Sequence, residues 1–186
     1  MPEITGKKVL VAVSNRGVEQ DELKVPVEKL RAAGVDVLIS APEAGQVETL
    51  VGDWERGEKI PVDKPLPEVS DGDYDLLVLP GGTLNADALR LDPHAQGIVR
   101  SFSESGRPIA AICHGPWLLV ETERTRGKKL TSYTSLKADI TNSGGQWADE
   151  PVVIDREQGW TLITSRNPGD LDQFVDGIKQ VLGETS

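Results

Sequence analysis

Short apolar runs alternate with helical segments along this chain, and the alternation limits its fold more than any other sequence feature. Strands buried on both faces of a parallel sheet read as such continuous runs, and we predict them at residues 7–14, 35–39, 74–79 and 107–112. Helical periodicity predicts helices at residues 19–33, 85–103, 115–123 and 168–182. Parallel strands joined by right-handed helical crossovers predict a flavodoxin-like, doubly wound α/β sandwich with helices on both faces.

Two further segments complete the predicted architecture. Residues 42–72 are rich in proline and carry Gly52 and Gly57 around Trp54, which favours a small hairpin excursion over an interdomain linker. Residues 152–155 and 160–164 read as two strands joined by a turn. At this length, we predict a single domain spanning residues 1–186.

Charge and composition exclude several classes of partner. The 30 acidic residues outnumber the 20 basic ones, and the net charge of −10 would repel nucleic acid and anionic membranes. The first residues lack the apolar core of a signal peptide, so we expect a cytoplasmic protein. One cysteine and two histidines form no cluster with metal-ligand spacing, and we predict neither a metal nor another cofactor.

Cys113 lies directly between the fourth predicted strand and the helix that follows it. This is the place of a nucleophile elbow, where a strained turn exposes the side chain above the sheet and the helix-start amides favour a thiolate. We therefore predict a pKa well below the ordinary value for Cys113. The alternative is a buried cysteine that acts as a small hydrophobic residue.

The neighbouring histidine allows two interpretations. Residues adjacent in sequence rarely point their side chains at one another, so His114 is either a partner of Cys113 or an exposed residue on the first helical turn. His94 is expected at a helix start, facing water.

Three unusual loops should meet at the carboxyl edge of the sheet, where sites form in such folds. They are residues 14–21, residues 81–83 and residues 113–115. Glu19 in the first loop is a candidate carboxylic acid beside the sulfur, and otherwise an ordinary acidic residue near a helix start. Gly81 and Gly82, with the amide of His114, are candidate oxyanion donors, although a glycine pair is common in such turns.

Five separated motifs occur in an order that resembles a known family. The chain looks like the PfpI branch of the superfamily that includes the Parkinsonism-associated deglycase, and the resemblance covers nearly all of its length. The motifs are AICHGP at residues 111–116, LPGG at 79–82, LTSY at 130–133, WADE at 147–150 and TSRNPGDL at 164–171.

This resemblance implies roles for particular residues. Cys113 matches the family nucleophile, Glu19 the acid that hydrogen-bonds its sulfur, and His114 the histidine beside it. In PfpI-like proteases an acidic residue from a neighbouring subunit completes the histidine, and Asp87 is the nearest acid at that place. The resemblance thus implies a homo-oligomer, a dimer or a hexamer. Trp54 and Trp117 flank the regions concerned, and the alternative is that both are core residues.

Three functions are compatible with this reading. The first is a stress-related enzyme whose thiolate acts on reactive carbonyls such as glyoxal, methylglyoxal or their early protein adducts. The second is an intracellular cysteine protease acting on peptides or proteins. The third is a redox sensor or chaperone whose cysteine is oxidised and catalyses nothing. We favour the first because an aldehyde is a better electrophile than an amide.

Overall fold

A central mixed sheet dominates the computed structural model, which describes residues 3–186. Seven strands are hydrogen-bonded in the order β11-β12-β8-β7-β1-β3-β6, and all neighbours are parallel except the edge pair β11 and β12. The strands of the described chain are β1 (Lys8–Ala12), β2 (Arg16–Glu19), β3 (Asp36–Ala41), β4 (Gln46–Val51), β5 (Glu55–Pro61), β6 (Lys64–Pro65), β7 (Leu76–Leu79), β8 (Ile109–Ile112), β9 (Lys129–Leu130), β10 (Gln146–Trp147), β11 (Val153–Asp155) and β12 (Leu162–Ser165).

Helices cover both faces of this sheet. Side chains alternate across each strand, so Val9 and Val11 of β1 face one apolar cluster and Leu10 faces the other. Helices α1 and α6 bury their apolar faces in the first cluster, and α3, α4 and α5 bury theirs in the second. The helices are α1 (Gln20–Ala32), α2 (Thr83–Leu89), α3 (Pro93–Glu104), α4 (Trp117–Glu121), α5 (Lys137–Asn142) and α6 (Leu171–Glu184).

The predicted α/β sandwich is confirmed, with one helix divided into two. The periodicity of residues 85–103 predicts a single helix, but the chain breaks between α2 and α3 at Asp92. The Asp92 carboxylate accepts the Ala95 N–H at 2.9 Å and caps α3, which begins at Pro93. Proline fits the first helical position and cannot continue a preceding helix, so Asp92-Pro93 marks a new start. Strands β2, β6, β9 and β10 and helix α5 are absent from the sequence-based prediction.

The predicted hairpin at residues 42–72 belongs to a second, smaller sheet. Strands β4 and β5 pair antiparallel, and β2 pairs parallel with β4. The turn between β4 and β5 contains Gly52 at φ 64° and Asp53 at φ 60°, and the Trp54 N–H returns to the Val51 carbonyl at 3.3 Å. Two successive positive φ values are typical of a type I′ turn, and aspartate is among the few side chains that tolerate them.

A fully buried lysine ties the antiparallel edge of the sheet to the segment before β9. The side chain of Lys128 is 0% exposed, and its ammonium contacts the Asp155 carboxylate at 3.2 Å. The ammonium also donates to the carbonyls of Glu157 and Trp160 and lies 4.1 Å from the centre of the Trp160 ring. Burial lowers the pKa of Lys128, and the Asp155 contact opposes that effect.

Within residues 3–186, no helix has both the length and the apolar character needed to cross a bilayer.

Candidate active site

Cys113 occupies the strained turn that the sequence predicts. It follows β8 at φ 62°, a backbone conformation that costs free energy for most residues other than glycine, asparagine and aspartate. The Tyr133 N–H donates to the Cys113 carbonyl at 2.8 Å, and the Cys113 N–H donates to Ser165 at 3.1 Å. A Cβ on Gly115 would lie 2.4 Å from the Leu79 carbonyl oxygen, so only glycine fits beside the elbow. The cysteine itself is 6% exposed.

The three predicted loops meet at this point. Strands β1 and β7 are neighbours in the sheet, so the loops after them lie side by side, where the strand order reverses. The Asn85 side chain accepts the Ser14 N–H at 2.6 Å and donates to the carbonyls of Pro80 and Gly81 at 3.1 and 3.0 Å. Asn85 thereby joins the first loop to the glycine loop. The sequence analysis did not identify Asn85 as a residue of the site.

The carboxylic acid beside the sulfur is Glu22, and the placement of Glu19 there is wrong. Glu22 is 0% exposed, and its carboxyl group lies close enough to Cys113 to raise the pKa of the thiol. Oε1 accepts the Gly81 N–H at 2.9 Å, whereas Oε2 has no hydrogen-bond partner among residues 3–186. Glu22, and not Glu19, is therefore the buried carboxyl group beside the nucleophile.

Glu19 lies one helical turn earlier and points elsewhere. It is the N-terminal boundary residue of α1, and its carboxylate accepts the N–H groups of Gly52 and Asp53 at 2.8 and 3.0 Å. Its physical role is to hold the β4–β5 turn. Helical spacing could have identified the difference, because Glu22 shares the buried face of α1 with Leu23 and Pro26.

Burial determines the protonation of Cys113 and Glu22. Burial, and then the charge of Glu19, raise the pKa of Glu22 well above its ordinary value. Burial, followed by the charge of Glu22, raises the pKa of the Cys113 thiol, which corrects the predicted lowering. Two adjacent buried acids oppose each other's ionisation, so the pKa of each is raised and the pair titrates as a unit.

Backbone donors around the sulfur differ from the predicted set. The backbone N–H groups of Gly82 and His114 are near the Cys113 sulfur and favour its charged form, which lowers the pKa of the thiol against the larger effect of burial. The Gly81 N–H is already donated to Glu22, so Gly81 is not an available oxyanion donor. Gly82 has φ 88°, and a Cβ there would lie 2.3 Å from the Gly17 carbonyl oxygen, which explains the glycine.

His114 is buried and faces the sulfur, in contrast to the exposed alternative. Its Nδ1 lies 3.3 Å from Cys113 Sγ, and its ring stacks on Tyr133 at 4.7 Å and meets Trp117 edge-on at 5.2 Å. Its Nε2 lies 3.3 Å from the Thr83 hydroxyl. Burial lowers the pKa of His114, and the charge of Asp53 opposes this, so the imidazole is neutral at rest.

The remaining predicted residues lie outside this cluster. His94 is exposed in the first turn of α3, as expected. Asp87 is exposed on α2 and is not among the hydrogen-bond partners of His114 within residues 3–186. In this part of the chain, no group of three or more potential metal ligands comes together.

A cavity of about 750 Å³ adjoins the site on the side of the small sheet. Asp53 and Thr83 are in its wall, together with the exposed side chains of Trp54 and Leu84.

A cysteine at positive φ, a buried glutamic acid and an adjacent histidine form the centre of a fold that known proteins share. A model of the DJ-1/PfpI family matches residues 7–180. The chain belongs to the DJ-1/PfpI family. This confirms the family expected from the five motifs.

DJ-1/PfpI relatives of known name carry two kinds of activity in their names. Protein/nucleic acid deglycase 2 of Escherichia coli is 37% identical over 95% of this chain and 98% of its own length. Putative cysteine protease YraA of Bacillus subtilis is 36% identical over 90% of this chain and 94% of its own length. The crystal structure of Drosophila melanogaster DJ-1beta matches with a TM-score of 0.84 and 31% identity, over 96% of this chain and 91% of that one.

Proposed function

We propose that this chain is a cysteine-dependent enzyme that converts small reactive carbonyl compounds, such as methylglyoxal or glyoxal, or their early adducts on proteins. The observation that carries this proposal is the enclosure of the nucleophile. Cys113 is 6% exposed, with its sulfur held between Glu22 and His114. A two- or three-carbon aldehyde fits such a site more readily than an extended peptide.

The chemistry on a 2-oxoaldehyde needs only water as co-reactant. The Cys113 sulfur forms a bond to the aldehyde carbon, and the thiol proton passes through His114 to the former carbonyl oxygen, giving a hemithioacetal. His114 then moves the hydrogen on that carbon, as a proton, to the neighbouring carbon, and the hydroxyl proton of the hemithioacetal passes to the ketone oxygen. The second carbon is thereby reduced to an alcohol as the first is oxidised to a thioester. Water cleaves the carbon–sulfur bond, restores the thiol and releases a 2-hydroxy acid.

The names of two relatives bear on the choice between carbonyl chemistry and peptide cleavage. The Escherichia coli relative is named a deglycase, which favours carbonyl chemistry. The Bacillus subtilis relative is named a putative cysteine protease, which favours peptide cleavage as the second candidate. The proposal places the activity in the cytoplasm, in keeping with the expectation from the sequence.

The deciding experiment measures loss of methylglyoxal and cleavage of casein side by side. We expect the wild type to consume the aldehyde and form lactate without releasing peptides, and Cys113→Ala to be at background. If casein is cleaved and the cleavage depends on Cys113, the proposal is wrong and the chain is a cysteine protease. If a folded, monodisperse sample shows neither activity, the result would favour the non-catalytic redox function.

We further propose that the chain forms a homo-oligomer. Trp54 is 85% exposed and Leu84 is 54% exposed, both in the wall of the cavity beside the site. Exposed apolar groups of this size at one place are typical of an interface. Sedimentation at micromolar concentration is expected to give a dimer or larger assembly that Trp54→Glu weakens. A wild-type monomer would refute this proposal.

A further inference from the structure

Thr83 connects the histidine of the site to an aspartate of the same chain. The Asp53 carboxylate accepts two hydrogen bonds from Thr83. Oδ1 accepts the backbone N–H of Thr83 at 2.9 Å, and Oδ2 accepts its hydroxyl at 2.7 Å. The same hydroxyl oxygen lies 3.3 Å from His114 Nε2. The hydrogen-bonded series therefore runs from Asp53 through Thr83 and His114 to the Cys113 sulfur.

The direction of each hydrogen bond follows from the number of protons available. A threonine hydroxyl carries one proton, and here it is donated to a carboxylate, which can only accept. The oxygen can then only accept from His114, so the ring proton is on Nε2. The Ser135 hydroxyl, 3.4 Å from Nε2, can accept the same proton. In the neutral ring Nδ1 is left bare, 3.3 Å from Cys113 Sγ.

We propose that Asp53, acting through Thr83, is a positioning residue that fixes this tautomer, so that His114 Nδ1 accepts the thiol proton of Cys113. In this arrangement the chain supplies the acid behind its histidine from its own hairpin. An acid such as Asp87 of a neighbouring subunit is not required. The inference rests on the proposed function only in assigning a use to that base.

The proton step is balanced within these four residues. The S–H bond of Cys113 breaks, its electron pair stays on sulfur, and the proton binds His114 Nδ1. The resulting imidazolium donates from Nε2 to Thr83, whose hydroxyl continues to donate to the negative carboxylate of Asp53. When sulfur has bonded to the aldehyde carbon, Nδ1 returns the proton to the oxygen that the carbonyl has become.

Several contacts keep Asp53 in place for this role. It lies at φ 60° in a tight turn, where aspartate is better tolerated than most side chains. The Glu19 carboxylate accepts its N–H and that of Gly52, which anchors the turn to the start of α1. The ionisable groups facing His114 are thus Asp53, Cys113 and the stacked Tyr133, with Glu22 behind the sulfur.

The first test observes the tautomer directly. The chain has two histidines, so nitrogen NMR of the imidazoles, with His94→Gln for assignment, separates His114. We expect the wild type to carry its proton on Nε2 at neutral pH. In Asp53→Asn the amide can donate to Thr83, which frees the hydroxyl to donate to Nε2 and moves the ring proton to Nδ1. Thr83→Val removes the hydroxyl, and Thr83→Ser should preserve the wild-type pattern.

The second test measures the reactivity of Cys113 without any substrate. Alkylation by iodoacetamide against pH is expected to slow about tenfold near neutrality in Asp53→Asn and Thr83→Val, because the base is lost. Thr83→Ser should recover most of the rate. Asp21→Asn, an exposed acid on α1, is the control for loss of one negative charge.

These readouts separate failure of the inference from failure of the proposed function. A proton on Nδ1 in the wild type, or an unchanged tautomer and alkylation rate in Asp53→Asn, would overturn the role of Asp53. So would slowed alkylation in Asp87→Asn with normal alkylation in Asp53→Asn. Absence of aldehyde turnover, with the expected tautomers and alkylation rates, would reject the proposed function and leave the Asp53 assignment standing.

Discussion

Glu22→Leu is expected to lower kcat for aldehyde turnover by more than about a hundredfold, the scale typical of losing a positioned acid. Leucine has nearly the volume of glutamate but offers no proton to the Cys113 sulfur and no acceptor to the Gly81 N–H. Glu22 and Cys113 are buried, so water does not replace the lost interactions. Steady-state kinetics with methylglyoxal, on protein shown by circular dichroism to be folded, measure the effect.

Two matched variants make the result specific. Glu22→Gln keeps the acceptor for Gly81 and an amide donor toward sulfur, so its loss should be clearly smaller than that of Glu22→Leu. Glu19→Gln removes the neighbouring carboxylate, which contacts the β4–β5 turn and not the sulfur, and should cost less than about tenfold. A larger loss in Glu19→Gln than in Glu22→Leu would return the acid's role to Glu19.

Lys128→Met should reduce the free energy of unfolding by about 3–5 kcal/mol, as expected when one partner of a buried ion pair is removed. The change leaves the Asp155 carboxylate and the carbonyls of Glu157 and Trp160 without their shared donor. Urea denaturation followed by fluorescence gives the difference between the variant and the wild type.

The adjacent lysine is the natural control. Lys129 is 42% exposed and pairs with Glu150 at 2.9 Å, so Lys129→Met should change stability by less than about 1 kcal/mol. Equal effects of the two substitutions would show that the enclosure of Lys128 has no energetic consequence.

The architecture was predictable from the sequence where long-range packing agrees with local pattern. Continuous apolar runs such as β1 and β8 can be buried only in a sheet covered on both faces. Short elements carry no such signal: β9 and β10 have two residues each. These strands form because each supplies hydrogen-bond partners to the backbone of the other. Two residues are too few to show a periodic pattern in the sequence.

The nucleophile was predictable from its placement, but its acid was not. Both Glu19 and Glu22 follow the first strand, and only the rotation of α1 decides which faces the sulfur. The pKa of Cys113 was expected to be low because the backbone amides at a helix start stabilise a thiolate. Burial of the sulfur beside a buried carboxyl group raises the pKa instead, and no pattern in the sequence indicates that burial.

Nothing in the local sequence predicts that Thr83 contacts His114 or that Asp53 contacts Thr83. Asp53 and Thr83 are thirty residues apart, in a hairpin and at a helix start, and their hydrogen bonds arise from the docking of the small sheet. No spacing rule relates residues brought together in that way.

The small sheet also has a consequence for how such chains diversify. Its β4–β5 hairpin enters the site from a segment between β3 and β7 that contributes only the two-residue edge strand β6 to the central layer. The tip of that hairpin, residues 52–54, is outside the strands of the central sheet. We therefore expect this tip to be an exchangeable part: changing its residues alters what stands behind the histidine, while the elbow and Glu22 belong to other elements of the fold.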